Sequence, residues 1–199
     1  MPSIYDLKPK FQALLQPMVR ALATRGITAN QVTLAAAVLS VALGVGLALE
    51  PRLFLVLPPF LLLRMALNAV DGMLARQFGQ KSALGGLLNE AGDVVSDAAL
   101  YLPFATLPGA DARVVVAAVL LAVLTEFVGV CAAAIGASRR YDGPMGKSDR
   151  AFVFGALALW ASLGLPLGPA VNWPLAAIVV LLLLTCVQRA RMALREVGS

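Results

Sequence analysis

The chain has 199 residues, 60% hydrophobic and only 14% charged, with a mean hydropathy of +0.84. That balance excludes an ordinary soluble domain and points to a helical membrane protein with several spans. The net charge of +5 lies on no basic soluble stripe, so it speaks for membrane topology and anionic headgroups, not for nucleic acid.

Residues 4–22 set Ile4, Leu7, Phe11, Leu14, Leu15, Met18 and Leu22 at helical spacing, with Lys8, Lys10, Gln12, Gln16 and Arg20 elsewhere. The pattern predicts an amphipathic helix over residues 1–26, lying in the membrane interface or packed on the bundle edge. Pro9 suits a first helical turn, and Pro17 is expected to kink or split the helix. Thr28-Ala29-Asn30-Gln31 has the form of a capping box opening the first span.

Apolar runs then predict six spans: Gln31–Leu49, Leu53–Arg76, Ala83–Leu107, Arg113–Ala137, Ala151–Leu167 and Val171–Arg195. Residues 27–199 would form one six-helix bundle, so the whole chain, 1–199, reads as a single all-α polytopic domain. Turn chemistry separates the spans at Glu50-Pro51-Arg52, Pro108–Asp111 and Gly164–Pro174, and Pro58-Pro59 should bend the second. Lys8, Lys10, Arg20, Arg25, Arg76, Lys81, Arg139, Arg140, Lys147, Arg150, Arg189, Arg191 and Arg195 fall on one side. Arg52 and Arg113 fall on the other. The positive-inside rule then puts both termini and the loop after Arg76 in the cytoplasm. No cleaved secretory signal is expected.

There is no histidine, so proton transfer falls to carboxylates, lysine, tyrosine, cysteine or water. Cys131 and Cys186 lie in apolar runs and read as packing residues. Ionisable groups at membrane depth are costly and mark function. Arg64 and Glu126 are two; they could neutralise each other or face polar groups of a site. The densest set spans Asn68 to Asp97. Asn68 and Asp71 share one helical face, and Asn89, Asp93 and Asp97 share another. The short Arg76–Ser82 connection lets those faces meet. Converging oxygens of this kind suit a hard divalent cation, completed by substrate phosphates.

These residues resemble the signature of the CDP-alcohol phosphatidyltransferase family, D-x2-D-G-x2-A-R-x8-G-x3-D-x3-D. Here it reads Asn68, Asp71, Gly72, Ala75, Arg76, Gly85, Asn89 and Asp93, with every spacing kept and asparagine at the first and third aspartate positions. Thr28, Asn30, Val32 and Thr33 are similar to another family stretch. The resemblance implies two Mg²⁺ or Mn²⁺ ions held by Asn68, Asp71, Asn89 and Asp93. It implies a CDP site formed by Asp71, Gly72, Ala75, Arg76 and Gly85, with Asn30 or Thr33 as a further contact, and Asp93 as catalytic base.

Two asparagines remove two charges, so Asp97, one turn beyond Asp93, is the first candidate to compensate, as a metal ligand or as base in a shifted register. Glu90 points about 100° away and is poorer. Family members that use phosphorylated polyols keep basic residues near the loop after the fourth span and near the sixth span's end, so Arg139, Lys147, Arg150 and Arg189 become candidates for an acceptor phosphate. The implied protein is a homodimer in the bacterial inner membrane, with its site facing the cytoplasm. It would move a phosphatidyl group from CDP-diacylglycerol to a small alcohol and release CMP, with membrane lipid around it. The alternatives are transfer from a CDP-alcohol to diacylglycerol, and a non-catalytic lipid-nucleotide scaffold.

Overall fold

The computed structural model describes residues 4–163 and 168–198, with side chains from Phe11 onward. Those residues form seven α-helices: α1 (Ile4–Thr24), α2 (Ala29–Leu49), α3 (Leu57–Gln77), α4 (Ala83–Tyr101), α5 (Ala112–Ala134), α6 (Lys147–Ser162) and α7 (Asn172–Val197). Short 3-10 turns lie at Pro51–Leu55, Leu102–Thr106 and Gly168–Val171, and no strand occurs among the described residues.

Local chemistry sets the helix starts. The α2 capping box is complete: Thr28 Oγ1 accepts from the Gln31 amide at 3.3 Å, and Gln31 Oε1 accepts from the Thr28 amide at 2.9 Å. Ser82 Oγ caps α4 by accepting from the Gly85 amide at 3.0 Å. Two expected starts move by four residues. The second span is expected from Leu53 with a bend at Pro58-Pro59; instead α3 begins at Leu57, and both prolines fall in its first turn. There the missing amide costs no helical bond, so no bend is needed. The fifth span was placed from Ala151, but α6 starts at Lys147, because Asp149 Oδ2 accepts from the Gly146 amide at 3.0 Å and closes its first turn.

Among the described residues, four segments are long and apolar enough to cross a membrane: α2, α3, α5 and the Gly168–Val197 stretch that contains α7. The six spans expected thus include two helices, α4 and α6, that do not meet this measure. Each carries charged residues, among them Glu90, Asp93, Asp97, Lys147 and Arg150.

Away from the Asn68–Asp97 motif, the core gathers the ends of α2, α4 and α6 around aromatic rings. Tyr101 stacks on Phe154 with centroids 4.0 Å apart, and Phe104 meets both Phe54 and Phe154 edge-on. Asn172 fastens that end: its Nδ2 donates to Gly109 O at 2.9 Å, and its Oδ1 accepts from the Asp111 amide at 2.7 Å. A smaller cluster of Val19, Val32, Val70, Met73 and Leu74 seats α1 on α2 and α3. Gln16 and Gln77 add a 2.9 Å hydrogen bond. Pro17 does not split α1, which runs unbroken from Ile4 to Thr24. Phe11, Leu14 and Met18 remain exposed on it. The side chains of Ile4, Leu7, Lys8 and Lys10, and residues 164–167 at the expected end of the fifth span, lie outside the described residues.

Candidate active site

Where α3 hands over to α4, the bundle opens into a cavity of ≈ 620 Å³. α2 contributes Asn30 and Thr33 to its wall, and α3 contributes Asn68, Asp71, Gly72, Ala75 and Arg76. α4 contributes Gly85, Asn89 and Asp93, while Tyr141 and Lys147 close the far side. Asp71 and Asp93, from facing helices, therefore share one cavity. Gln80 Oε1 accepts from the Ala29 amide at 2.7 Å and ties the α3–α4 turn to the start of α2. Gly85 keeps the wall open: a Cβ there would lie 2.7 Å from Asn30 Oδ1 and 3.0 Å from Ser82 Oγ.

The two acids sit differently. Asp71 is 5% exposed, and its Oδ2 accepts from the Thr33 hydroxyl at 2.8 Å. Asp93 Oδ1 faces nitrogen donors: it pairs with Lys147 Nζ, and Asn68 Nδ2 and Arg64 Nη2 approach at 3.4 and 3.5 Å. Asn89 lines the cavity beside them.

Asp97 is not in the cavity wall. It is buried between two arginines, with Arg64 Nη1 2.5 Å from Oδ1 and Arg150 Nε 2.9 Å from Oδ2. Its expected place as a metal ligand or alternative base is taken by these ion pairs. Arg150 continues to Glu126 Oε1 at 2.8 Å, and Arg189 Nη1 lies 3.5 Å from Glu126 Oε2. Arg64 and Glu126 are thus linked through Asp97 and Arg150 and form no direct pair. Buried charges held in this way are matched inside the bundle, where leaving one unpaired is costly.

The four cations proposed for an acceptor phosphate divide accordingly. Arg150 and Arg189 are 1% exposed, off the cavity, and committed to acids and to carbonyls such as Thr125 O. Lys147 is at the wall. Arg139 lies behind Tyr141, its guanidinium 4.2 Å from the ring centroid. Arg139 Nη2 binds Glu90 at 2.6 Å and Glu126 at 3.0 Å, yet Nε and Nη1 are buried without a partner. Burial would lower this guanidinium's pKa, but the hydrogen bond to Glu90 and the charges around it outweigh that and hold it above its ordinary range. Tyr141 and Gln80 carried no motif spacing. Only their place beside Arg139 and inside the Arg76–Ser82 turn could have flagged them.

Among the described residues, no group of three or more His, Cys, Asp or Glu is placed to hold a metal ion. Asp71 and Asp93, with the amide oxygens of Asn68 and Asn89, line one cavity, and oxygen donors of this kind suit a hard divalent cation completed by substrate oxygens.

A family model described as CDP-alcohol phosphatidyltransferase matches residues 26–194. Inner membrane protein YnbA of Escherichia coli (strain K12) is 47% identical over 200 residues, covering 96% of each chain. The fold is similar to the crystal structure of Mycobacterium tuberculosis phosphatidylinositol phosphate synthase (PgsA1) with CDP-DAG bound, at a TM-score of 0.74. That match has 23% identity over 92% of this chain and 94% of that one. It is similar to the same enzyme in complex with manganese and citrate at the same score and identity, over 92% and 90%.

Proposed function

The chain belongs to the CDP-alcohol phosphatidyltransferase family, and from that premise we propose that it moves a phosphatidyl group from CDP-diacylglycerol to an alcohol. The observation that carries this reading is the shared cavity of Asp71 and Asp93, walled by Asn30, Arg76 and Gly85. Arg76 supplies a guanidinium for phosphate. Asp71, with the amide oxygens of Asn68 and Asn89, would hold a divalent cation, Mg²⁺ or Mn²⁺. Such a cation supplies charge neutralisation for a pyrophosphate. Asp93 takes the proton of the acceptor hydroxyl. The freed oxygen attacks the lipid-side phosphorus, the phosphoanhydride bond to CMP breaks, and CMP leaves with the bridging oxygen. Holding lipid, nucleotide and alcohol in one cavity supplies much of the rate.

The donor assignment is supported by a fold neighbour described with CDP-DAG bound. The acceptor is a phosphorylated polyol, such as glycerol 3-phosphate or an inositol phosphate. Two features support this: Lys147 at the wall, and the unpartnered Nε and Nη1 of Arg139 behind Tyr141. Arg150 and Arg189 have no part in it. The protein works as a homodimer in a bacterial inner membrane, a placement in keeping with the name of its E. coli relative.

The test is purified protein incubated with CDP-diacylglycerol, Mg²⁺ or Mn²⁺ and a panel of alcohols, read by CMP release and lipid mass. A new phosphatidyl lipid with a phosphorylated polyol is expected, lost in Asp93→Asn while CDP binding is kept. CDP binding without CMP release from any alcohol would instead support a scaffold. Turnover only with a CDP-alcohol and diacylglycerol would reverse donor and acceptor.

A further inference from the structure

We infer that this site works with a single divalent cation, and that Lys147 Nζ stands at Asp93 as the positive charge that replaces a second. The inference rests on the cavity being the CDP site. The family signature has four aspartates, enough charge to neutralise two divalent ions. Here two of those positions are Asn68 and Asn89. An amide oxygen can bind a metal but brings no charge. The lost charge is not recovered nearby, since Asp97 is consumed by Arg64 and Arg150.

Asp93 is already answered. Lys147, in the first turn of α6, pairs with Oδ1, and Asn68 turns its Nδ2, not its oxygen, toward the same atom. Arg64 also leans on Oδ1 at 3.5 Å, but its own charge is matched by Asp97. A metal bound through Oδ1 would have to displace an ammonium and face two further donors. Asp71 is the opposite: it receives a Thr33 hydroxyl and makes no ion pair among the described residues. The charged side chains lining the cavity, Asp71, Asp93, Arg76, Lys81 and Lys147, carry a net charge of +1. One cation together with the two negative charges of a pyrophosphate diester leaves that balance at +1. A second cation would leave +3, concentrated in a partly buried cavity where like charges repel strongly.

The experiment uses purified full-length protein, CDP and Mn²⁺. Bound Mn²⁺ is counted by EPR and CDP binding is measured by calorimetry. About one Mn²⁺ per chain is expected at saturating CDP, and about two in the Asn68→Asp/Asn89→Asp double variant. Lys147→Met should weaken CDP about tenfold at saturating Mn²⁺, the scale of one charge-assisted contact. Two Mn²⁺ per unaltered chain, or none while CDP is bound, overturns the inference. So does a double variant that binds CDP and still takes one. If that variant does not fold, the count in the unaltered chain and the Lys147→Met result decide. Absence of CDP binding altogether strikes at the functional reading itself and takes this inference with it.

Discussion

Asp97 is the counter-ion that Arg64 and Arg150 share inside the bundle, with Glu126 a second partner for Arg150. Asp97→Asn leaves Arg64, among the described residues, with only Asp93 at 3.5 Å and should cost about 3–5 kcal/mol, read as a large fall in Tm in detergent. Asp93→Asn is expected to behave oppositely. Its side chain is 21% exposed at the cavity, so stability should drop by under about 1 kcal/mol while turnover is lost. Equal falls in Tm for the two variants would refute this division between a structural and a reacting carboxylate. Sequence spacing places Asn89, Asp93 and Asp97 on one helical face, and so could not separate these roles. What separates them comes from other helices: Arg64 and Arg150 reach Asp97, whereas Lys147 reaches Asp93 beside open space. Spacing along one helix carries no information about partners contributed by another.

Helix contact sets how far the cavity opens. α2 and α4 pack closely, and at Gly44 an added Cβ would collide with the Ala99 carbonyl on the helix opposite. A backbone atom cannot swing aside, so Gly44→Val should push the helices apart and cost about 1–3 kcal/mol, measured by thermal unfolding. Gly85 borders side chains instead. A methyl there meets Asn30 Oδ1 and the capping Ser82 Oγ, both of which can rotate. Gly85→Ala should cost about 1 kcal/mol or less, the scale of the cap, and weaken CDP about tenfold, the scale of one displaced polar contact. An unchanged CDP affinity would remove Asn30 from the nucleotide site. At this scale the sequence was legible where local chemistry decides: Thr28 and Gln31 announce the start of α2. It misled where a helix opens with charges. Lys147 and Arg150 look like loop cations, yet they occupy the first turn of α6 and face inward.

Across the whole molecule, four segments among the described residues are long and apolar enough to cross a membrane, and the contacts of α4 and α6 bear on whether the six expected spans form. The Pro108–Asp111 turn follows α4 and precedes α5, and it is bound to Asn172 at the start of α7. At the other end, Arg139, just after α5, pairs with Glu90 near the start of α4. α4 and α5 thus run between the same two levels in opposite directions, so if α5 crosses, α4 crosses with it. α6 starts level with Asp93 through Lys147 and reaches the aromatic cluster through Phe154. α4 is set aside by its acids and α6 by its length of 16 residues, and charges matched within a bundle do not forbid a span. The loops should therefore alternate. With Cys131 and Cys186 replaced, a cysteine at Asp111 should react with an impermeant maleimide on intact cells. A cysteine at Lys81 should react only after permeabilisation. Were Asp111→Cys and Lys81→Cys both protected, α4 would not cross, α5 would run outward, and Arg139 would end on the opposite side from the Arg76–Ser82 turn. Its pair with Glu90 could not then form, so the two labels together test the packing of the bundle, whereas an exchange of their reactivities would invert the orientation alone.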